Sequence, residues 1–172
     1  RMQMVFQDPQ ASLNPRMTIG ATLVFPMKVQ HLHQGEEEDR AADLLSRVGL
    51  NRSAMNRYPH EFSGGQLQRI GIARALAVEP EFIVGDEPVS ALDVSIQSQV
   101  LNLFKDLQEE LQLTSLFISY NLSVVEFLCD RVAVLYMGKL AEVAPVKSLF
   151  SEARHPYTQS LLAAILQPDP DI

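Results

Sequence analysis

The stretch "HEFSGGQLQRIGIARALAVEPEFIVGDEPVSALD", residues 60–93, sets four features in direct succession. A Ser-Gly-Gly-Gln turn (Ser63, Gly64, Gly65, Gln66) leads into a basic amphipathic helix; an apolar strand then ends in two adjacent carboxylates, Asp86 and Glu87, and a Ser-Ala-Leu-Asp turn closes on Asp93. Two glycines remove the Cβ atoms that would hold a phosphate away from the backbone. The helix that follows offers free N–H groups and the positive end of its dipole. An isolated Ser-Gly-Gly is more often a simple helix start, but here it is continuous with "QRIGIARAL", a much longer pattern.

Strand ends are where open α/β sheets bind ligands. One carboxylate there can hold Mg²⁺ through water while its neighbour polarises an attacking water. The bland alternative, two solvated charges at a strand end, competes with this reading position by position.

Working outward, "MQMVFQ" reads as a strand that stops at "DPQASLNP", where two prolines and an asparagine predict a loop. A helical pattern over 18–29 is broken by "QHLHQG". Residues 36–50 have an acidic first turn, apolar Leu44, Leu45 and Val48, and Gly49 at the expected stop, which predicts a helix. A polar turn covers 51–62. The helix after Ser63 carries Ile70, Ala73, Leu76 and Ala77 on one face and is closed by Pro80. Then follow a buried strand over 81–86, a helical stripe over 95–111, a strand over 114–119 and a short helix over 121–130. A hairpin over 131–144 turns at Met137-Gly138, helices cover 145–150 and 156–166, and "PDPDI" reads as a frayed end. Strands alternating with helices predict an α/β fold with a mainly parallel sheet.

Composition bounds the function. The chain has 172 residues, 47% hydrophobic and 20% charged, about one domain of ordinary globular make-up. A net charge of -7 and a pI near 5.0 argue against a phosphate-tracking surface, so no nucleic-acid partner is expected. One cysteine, Cys129, excludes an internal disulfide. No apolar run approaches the roughly 20 residues that span a bilayer, so any membrane role is expected to run through a partner. The opening "RMQMVF" reads as the middle of a strand and suggests a chain that starts inside a larger protein.

The block from "FSGGQLQRIGIARALAVEP" to "DEPVSALD" resembles the signature, Walker B and D-loop region of ABC-type ATPases. Upstream, "MVFQDPQASLNPRMTIG" resembles the Q-loop of the subgroup that drives oligopeptide and dipeptide importers; downstream, "RHPYTQSLLAAILQPDP" resembles that subgroup's C-terminal extension. The resemblance implies a partial ABC nucleotide-binding domain of P-loop NTPase type. Its expected divisions are a Q-loop strand and loop (1–13), a helical subdomain ending in the signature helix (14–78), a partial ATPase core (79–146) and the extension (147–172). By position, Gln7 matches the glutamine that contacts the metal or attacking water and links it to the membrane subunit. Ser63, Gly64, Gly65 and Gln66 match the signature that closes over ATP bound to the opposite subunit. Asp86 matches the Mg²⁺-side carboxylate, Glu87 the general base and Asp93 the D-loop residue at the dimer interface. The implied cofactors are ATP and Mg²⁺. The implied partners are a second ABC ATPase subunit, transmembrane permease subunits and, indirectly, an extracytoplasmic solute-binding protein. The implied location is the cytoplasmic face of the cell membrane.

Two departures stand against that pattern. No G-x-x-x-x-G-K-[ST] occurs, although this loop supplies most of the phosphate binding in the family; a sequence beginning at "RMQMVFQ" would omit it by truncation alone. Where the subgroup has a histidine after the strand, this chain has Tyr120, followed by Asn121 in place of the usual aspartate. A tyrosine hydroxyl donates one hydrogen bond and does not become a cation near neutrality. Slow hydrolysis at this subunit's own site is the consequence expected, with a tolerated loop change as the alternative.

Two other function classes remain open from sequence: a catalytically incomplete fragment that only presents its signature face, and an ABC-type ATPase of DNA maintenance or translation, whose coiled coils, zinc insertions and basic arms are not seen here. Among smaller features, His31 and His33 in "HLH" read as a solvated loop, His60 and His155 as capping or packing residues, Cys129 as a small buried residue on a helix face, and "EEED" as a solvated helix start.

Overall fold

The computed structural model describes residues 1–164; the reading of 165–172, including "PDPDI", lies outside the described residues. The chain divides into two compact units, residues 1–118 and residues 119–172.

In the first unit, strands β1 (Met2–Val5), β2 (Phe82–Asp86) and β3 (Thr114–Ile118) form a parallel sheet in that order. The register pairs Met4 with Val84 and Val84 with Leu116. Parallel neighbours require long crossovers. The crossover from β1 to β2 carries helices α1 (Pro9–Ser12), α2 (Ile19–Val29), α3 (Glu37–Arg47) and α4 (Gly64–Leu76), and α5 (Val94–Glu110) joins β2 to β3. Alternation along the strands puts Val5, Ile83 and Gly85 on the buried face. The opposite face leaves Leu116 50% and Ile118 46% exposed in β3 and Phe82, Val84 and Asp86 half-buried in β2, so the strand predicted as buried, 81–86, is fully so on one side only.

The helical core explains the sequence pattern locally. Thr18 caps α2 by accepting the Ala21 N–H, and its buried Ile19, Leu23 and Met27 recur at the spacing of one helix face. Gly49, at φ +76, ends the turn after α3, where a left-handed residue is needed. Residues 8–15 do not form the plain loop expected: Asp8 accepts the N–H groups of Gln10 and Ala11, and with Pro9 at the first helical position this nucleates the single turn α1. The segment over 51–62 likewise contains two 3-10 turns, Arg52–Asn56 and Pro59–Glu61. Helix α4 is less amphipathic than its sequence suggests. Gln68, Gly71, Ile72 and Ala75 are buried along with Leu67, Ile70, Ala73 and Leu76, so most of its circumference faces protein.

The second unit contains α6 (Leu122–Leu128), an antiparallel hairpin β4 (Arg131–Tyr136) and β5 (Lys139–Pro145), α7 (Val146–Glu152) and α8 (Pro156–Ala163). Met137 and Gly138 at the tip have φ of 50° and 75°, the left-handed pair that fits a two-residue hairpin turn to the strand twist. The hairpin is a sheet of its own, so the expected parallel sheet is confined to β1–β3. Glu142 accepts the N–H groups of Arg154 and His155, and His155 Nδ1 accepts the Tyr157 N–H at the start of α8. These bonds hold the turn before α8 against β5. The two backbone donors also pull the Glu142 carboxyl below its ordinary range.

Among the described residues, no helix is long and apolar enough to cross a membrane.

Candidate functional site

Gln7 lies two residues beyond β1, and Asp86 and Glu87 stand at the end of β2. Because the two strands are parallel neighbours, their C-terminal ends open on the same edge, and side chains 80 positions apart meet there. Gln7 Nε2 donates to Glu87 Oε2 at 3.1 Å and to Ser90 Oγ at 3.1 Å. Ser90 Oγ donates in turn to the Glu87 carbonyl at 3.0 Å. Glu87 adopts φ +43°, a left-handed conformation uncommon for glutamate. Its N–H donates to the Ile118 carbonyl at 3.0 Å, which anchors the turn to β3.

Asp86 pairs in register with Ile118, is half-buried, and among the described residues its carboxylate has no hydrogen-bond or ion-pair partner. One carboxylate, Asp86, and the Gln7 amide oxygen suit Mg²⁺, which takes one or two carboxylates and completes its shell with water and phosphate oxygens. No larger cluster of His, Cys, Asp or Glu that could cage a metal occurs among the described residues.

The Ser-Gly-Gly-Gln turn is a capping box. Ser63 Oγ accepts the Gln66 N–H at 3.4 Å, and Gln66 Oε1 accepts the Ser63 N–H at 3.0 Å. Ser63, Gly64 and Gln66 are exposed, so the start of α4 faces solvent with the Ser63 hydroxyl hydrogen and the Gln66 amide N–H₂ outside the box. The two glycines have different reasons. A Cβ on Gly64 would meet Leu92 at an ordinary 3.5 Å, whereas a Cβ on Gly65 would stand 2.4 Å from Ile96 Cγ2. Close approach of α4 to α5 therefore demands glycine at 65, before any ligand is considered.

Asp93 is the N-cap of α5 by its backbone: its carbonyl accepts the N–H groups of Ile96 and Gln97, while its exposed carboxylate makes no capping bond. That leaves the charge outward. In the second unit, Tyr120 follows β3 by two residues and is 72% exposed. Asn121 caps α6 by accepting the Ser123 N–H, a task that Asn and Asp perform equally well.

Three site-holding residues escaped the sequence reading. Ser90 joins Gln7 to Glu87, as above. Gln68, only 1% exposed, donates from Nε2 to the Phe6 carbonyl just before Gln7. Arg74 donates to the Ser12 carbonyl at the end of α1, and burial pushes its guanidinium below the usual arginine range. A polar residue one helical turn before buried Ile72 was the available signal for Gln68. Ser90 was marked only as the first residue of the Ser-Ala-Leu-Asp turn; its bond from Gln7, 83 positions away, has no local signal.

The smaller features resolve as well. His33 is half-buried with Nε2 3.0 Å from Glu79 Oε1, a carboxylate that Arg40 also approaches, so this histidine packs against Glu79 rather than standing in a solvated loop. His155 is a cap as expected, and His60 stacks on Tyr58 with ring centroids 5.9 Å apart. Cys129 is the half-buried C-cap of α6 rather than a residue of its apolar face, and burial raises its thiol above the ordinary range. Within "EEED", Glu37 accepts the Gly35 N–H, and Asp39 pairs with Arg52 at 2.7 Å.

A parallel sheet with paired carboxylates at the end of one strand and a neighbouring strand's glutamine bound to one of them is the architecture of a P-loop NTPase-like domain. The sequence pattern of the ABC transporter family matches residues 1–90, and the chain belongs to that family. It is 58% identical to the oligopeptide transport ATP-binding protein OppF of Bacillus subtilis, over 99% of this chain and 57% of that protein. It is 59% identical to a putative peptide import ATP-binding protein of Brucella ovis, over 99% of this chain and 54% of that one. Identity to OppF of Streptococcus mutans is 53%, over 99% of this chain and 56% of that protein. The chain thus spans about half the length of the curated relatives it matches.

Proposed function

We propose that this chain is part of an ATP-hydrolysing subunit of an ABC importer for peptides or related small solutes. The observation that carries the reading is the hydrogen bond from Gln7 to Glu87 at adjacent strand ends, next in sequence to an Asp86 carboxylate with no partner among the described residues. With Oε2 occupied by Gln7, Glu87 keeps Oε1 for a water: it orients that water and accepts its proton as the water attacks the terminal phosphate of ATP. Asp86 and Gln7 Oε1 are the groups that would hold Mg²⁺, whose charge offsets that of the phosphates. By its resemblance to the family's switch position, Tyr120 is the residue that would offer its hydroxyl to the terminal phosphate.

Ser63, Gly64 and Gln66 face outward and, with Gly65 between them, would close over ATP on a second ABC ATPase subunit, with Asp93 at the same interface. The remaining assembly would be permease subunits, engaged near Gln7, and an extracytoplasmic solute-binding protein reached through them. The subunit would then sit at the cytoplasmic face of the membrane. The divisions 1–13, 14–78, 79–146 and 147–172 are retained as functional segments in this reading. The names of the OppF and peptide-import relatives support the peptide class.

The test is Mg²⁺-dependent ATP hydrolysis by the protein expressed from its complete reading frame, with and without Glu87→Gln. Loss of turnover in the variant, with ATP binding retained, is the expected result. A parent with no turnover that still joins a second ATPase subunit would overturn hydrolysis in favour of an interaction-only role.

A further inference from the structure

We infer that Ser90 is a positioning residue for hydrolysis: it fixes which way the Gln7 side-chain amide faces and thereby holds Gln7 against Glu87. The argument is one of hydrogen-bond supply. Ser90 Oγ carries a single hydrogen, and the Glu87 carbonyl takes it at 3.0 Å. Toward Gln7 the hydroxyl therefore only accepts. The Glu87 carboxylate also only accepts when ionised. Both neighbours of the Gln7 amide are thus acceptors, at 3.1 Å each, and both demand Nε2.

Flipping the amide would set Oε1 against a carboxylate oxygen and a hydroxyl oxygen whose hydrogen is committed elsewhere. Two donors meet two acceptors, and Oε1 is left outside the network. Ser90 does a second thing with the same atom. Its bond to the Glu87 carbonyl, together with its own backbone N–H to that carbonyl at 3.1 Å, closes the turn in which Glu87 holds φ +43°. One hydroxyl therefore sets the orientation of the amide and the backbone of the carboxylate. Without it the Gln7 amide keeps one acceptor and gains freedom to rotate, and the Glu87 turn loses one of its two closing bonds.

This inference rests on the hydrolytic reading of Gln7 and Glu87, and its test separates the two. The protein from its complete reading frame is compared with Ser90→Ala, Ser90→Thr, Gln7→Ala, the Gln7→Ala/Ser90→Ala double variant and Glu87→Gln. In the ligand-free, ¹⁵N-labelled protein, the Gln7 side-chain N–H₂ pair is assigned as the pair missing from Gln7→Ala. It is expected to shift in Ser90→Ala and to return in Ser90→Thr, which keeps the hydroxyl. Turnover is expected to fall roughly 10-fold in Ser90→Ala with KM for ATP within about twofold, about what one lost positioning bond removes. The double variant should be no slower than the slower single variant, because both changes open the same network. Unmoved Gln7 signals in Ser90→Ala, or losses that multiply in the double variant, would overturn the role of Ser90. If turnover survives Glu87→Gln, the hydrolytic reading fails instead, and the Gln7 signals still decide whether Ser90 orients the amide.

Discussion

Between distant positions of the chain, the two units tie side chains to backbone in chemically opposite ways. In residues 1–118 these ties are side-chain donors: Gln68 to the Phe6 carbonyl, Arg74 to the Ser12 carbonyl, and Arg69 to the Val48 carbonyl at 3.1 Å. In residues 119–172 the corresponding tie is an acceptor that does titrate, the Glu142 carboxylate under the N–H groups of Arg154 and His155. The candidate residues differ to match. Gln7 and Glu87 are held by one another and by Ser90, whereas Tyr120 stands largely exposed at the start of its unit. The lesson is that a change at one of these ties should register in folding, while a change at Tyr120 should register in chemistry alone.

The sharpest break of that contrast comes from Tyr120→His in the protein from its complete reading frame. Turnover is expected to rise by roughly 10²-fold, the order lost when one transition-state donor is removed elsewhere. The melting temperature should stay within about one degree, because an exposed ring contributes little packing. A faster variant that is also much less stable would mean that Tyr120 is tied into its unit after all.

Gly65→Ala probes the opposite side. The new methyl group would collide with Ile96, and overpacking of this kind costs about 1–3 kcal/mol. Chemical denaturation should show the loss, and Ile96→Ala in the same chain should recover part of it. If Gly65→Ala alone is neutral while nucleotide binding falls, the glycine serves the ligand rather than the contact between α4 and α5.

Arg74→Met should cost about 1–3 kcal/mol by leaving the Ser12 carbonyl without its charged donor. Because arginine stays protonated, this loss is expected to be the same at pH 5 and pH 8. A loss that grew or shrank across that range would remove the distinction between the two kinds of tie.

The smallest effect belongs to Glu142. Its folded carboxyl is held below the unfolded value near 4.5 by the Arg154 and His155 N–H groups. The unfolded chain therefore binds this proton first as pH falls, and the tie's contribution, fully present above about 4.5, disappears as pH drops through the folded value. Glu142→Gln should lower stability slightly at neutral pH, leave it nearly unchanged once Glu142 would be protonated, and so flatten the acid limb of the profile, with hydrogen exchange at Arg154 and His155 as the local measure. An acid limb identical in both proteins would show that these N–H groups do not depend on the charge.

Much of this was legible in the chain itself. Thr18 before an apolar stripe, Gly49 after one and Met137-Gly138 between two strands each act through neighbours a few residues away. Helix caps, stops and the hairpin turn could therefore be placed by period and residue type. The carboxylate pair at the end of β2 was legible for the same reason, since an apolar run bounded by charge locates its own end.

What local pattern misjudged was the surroundings. Helix α4 read as amphipathic because Arg69, Arg74 and Gln68 are polar, yet these side chains spend their polarity on backbone carbonyls inside the unit. Sequence alone thus determined the elements, the family and the residue types of the site. Tertiary structure alone decided that the Gln7 amide bonds both Glu87 and Ser90, and that Gly65 answers to Ile96. The physical reason is range: a cap or a period is set by bonds within a turn or two of helix. The meeting of positions 7, 87 and 90 depends on which strands become parallel neighbours, and the packing of the whole sheet settles that.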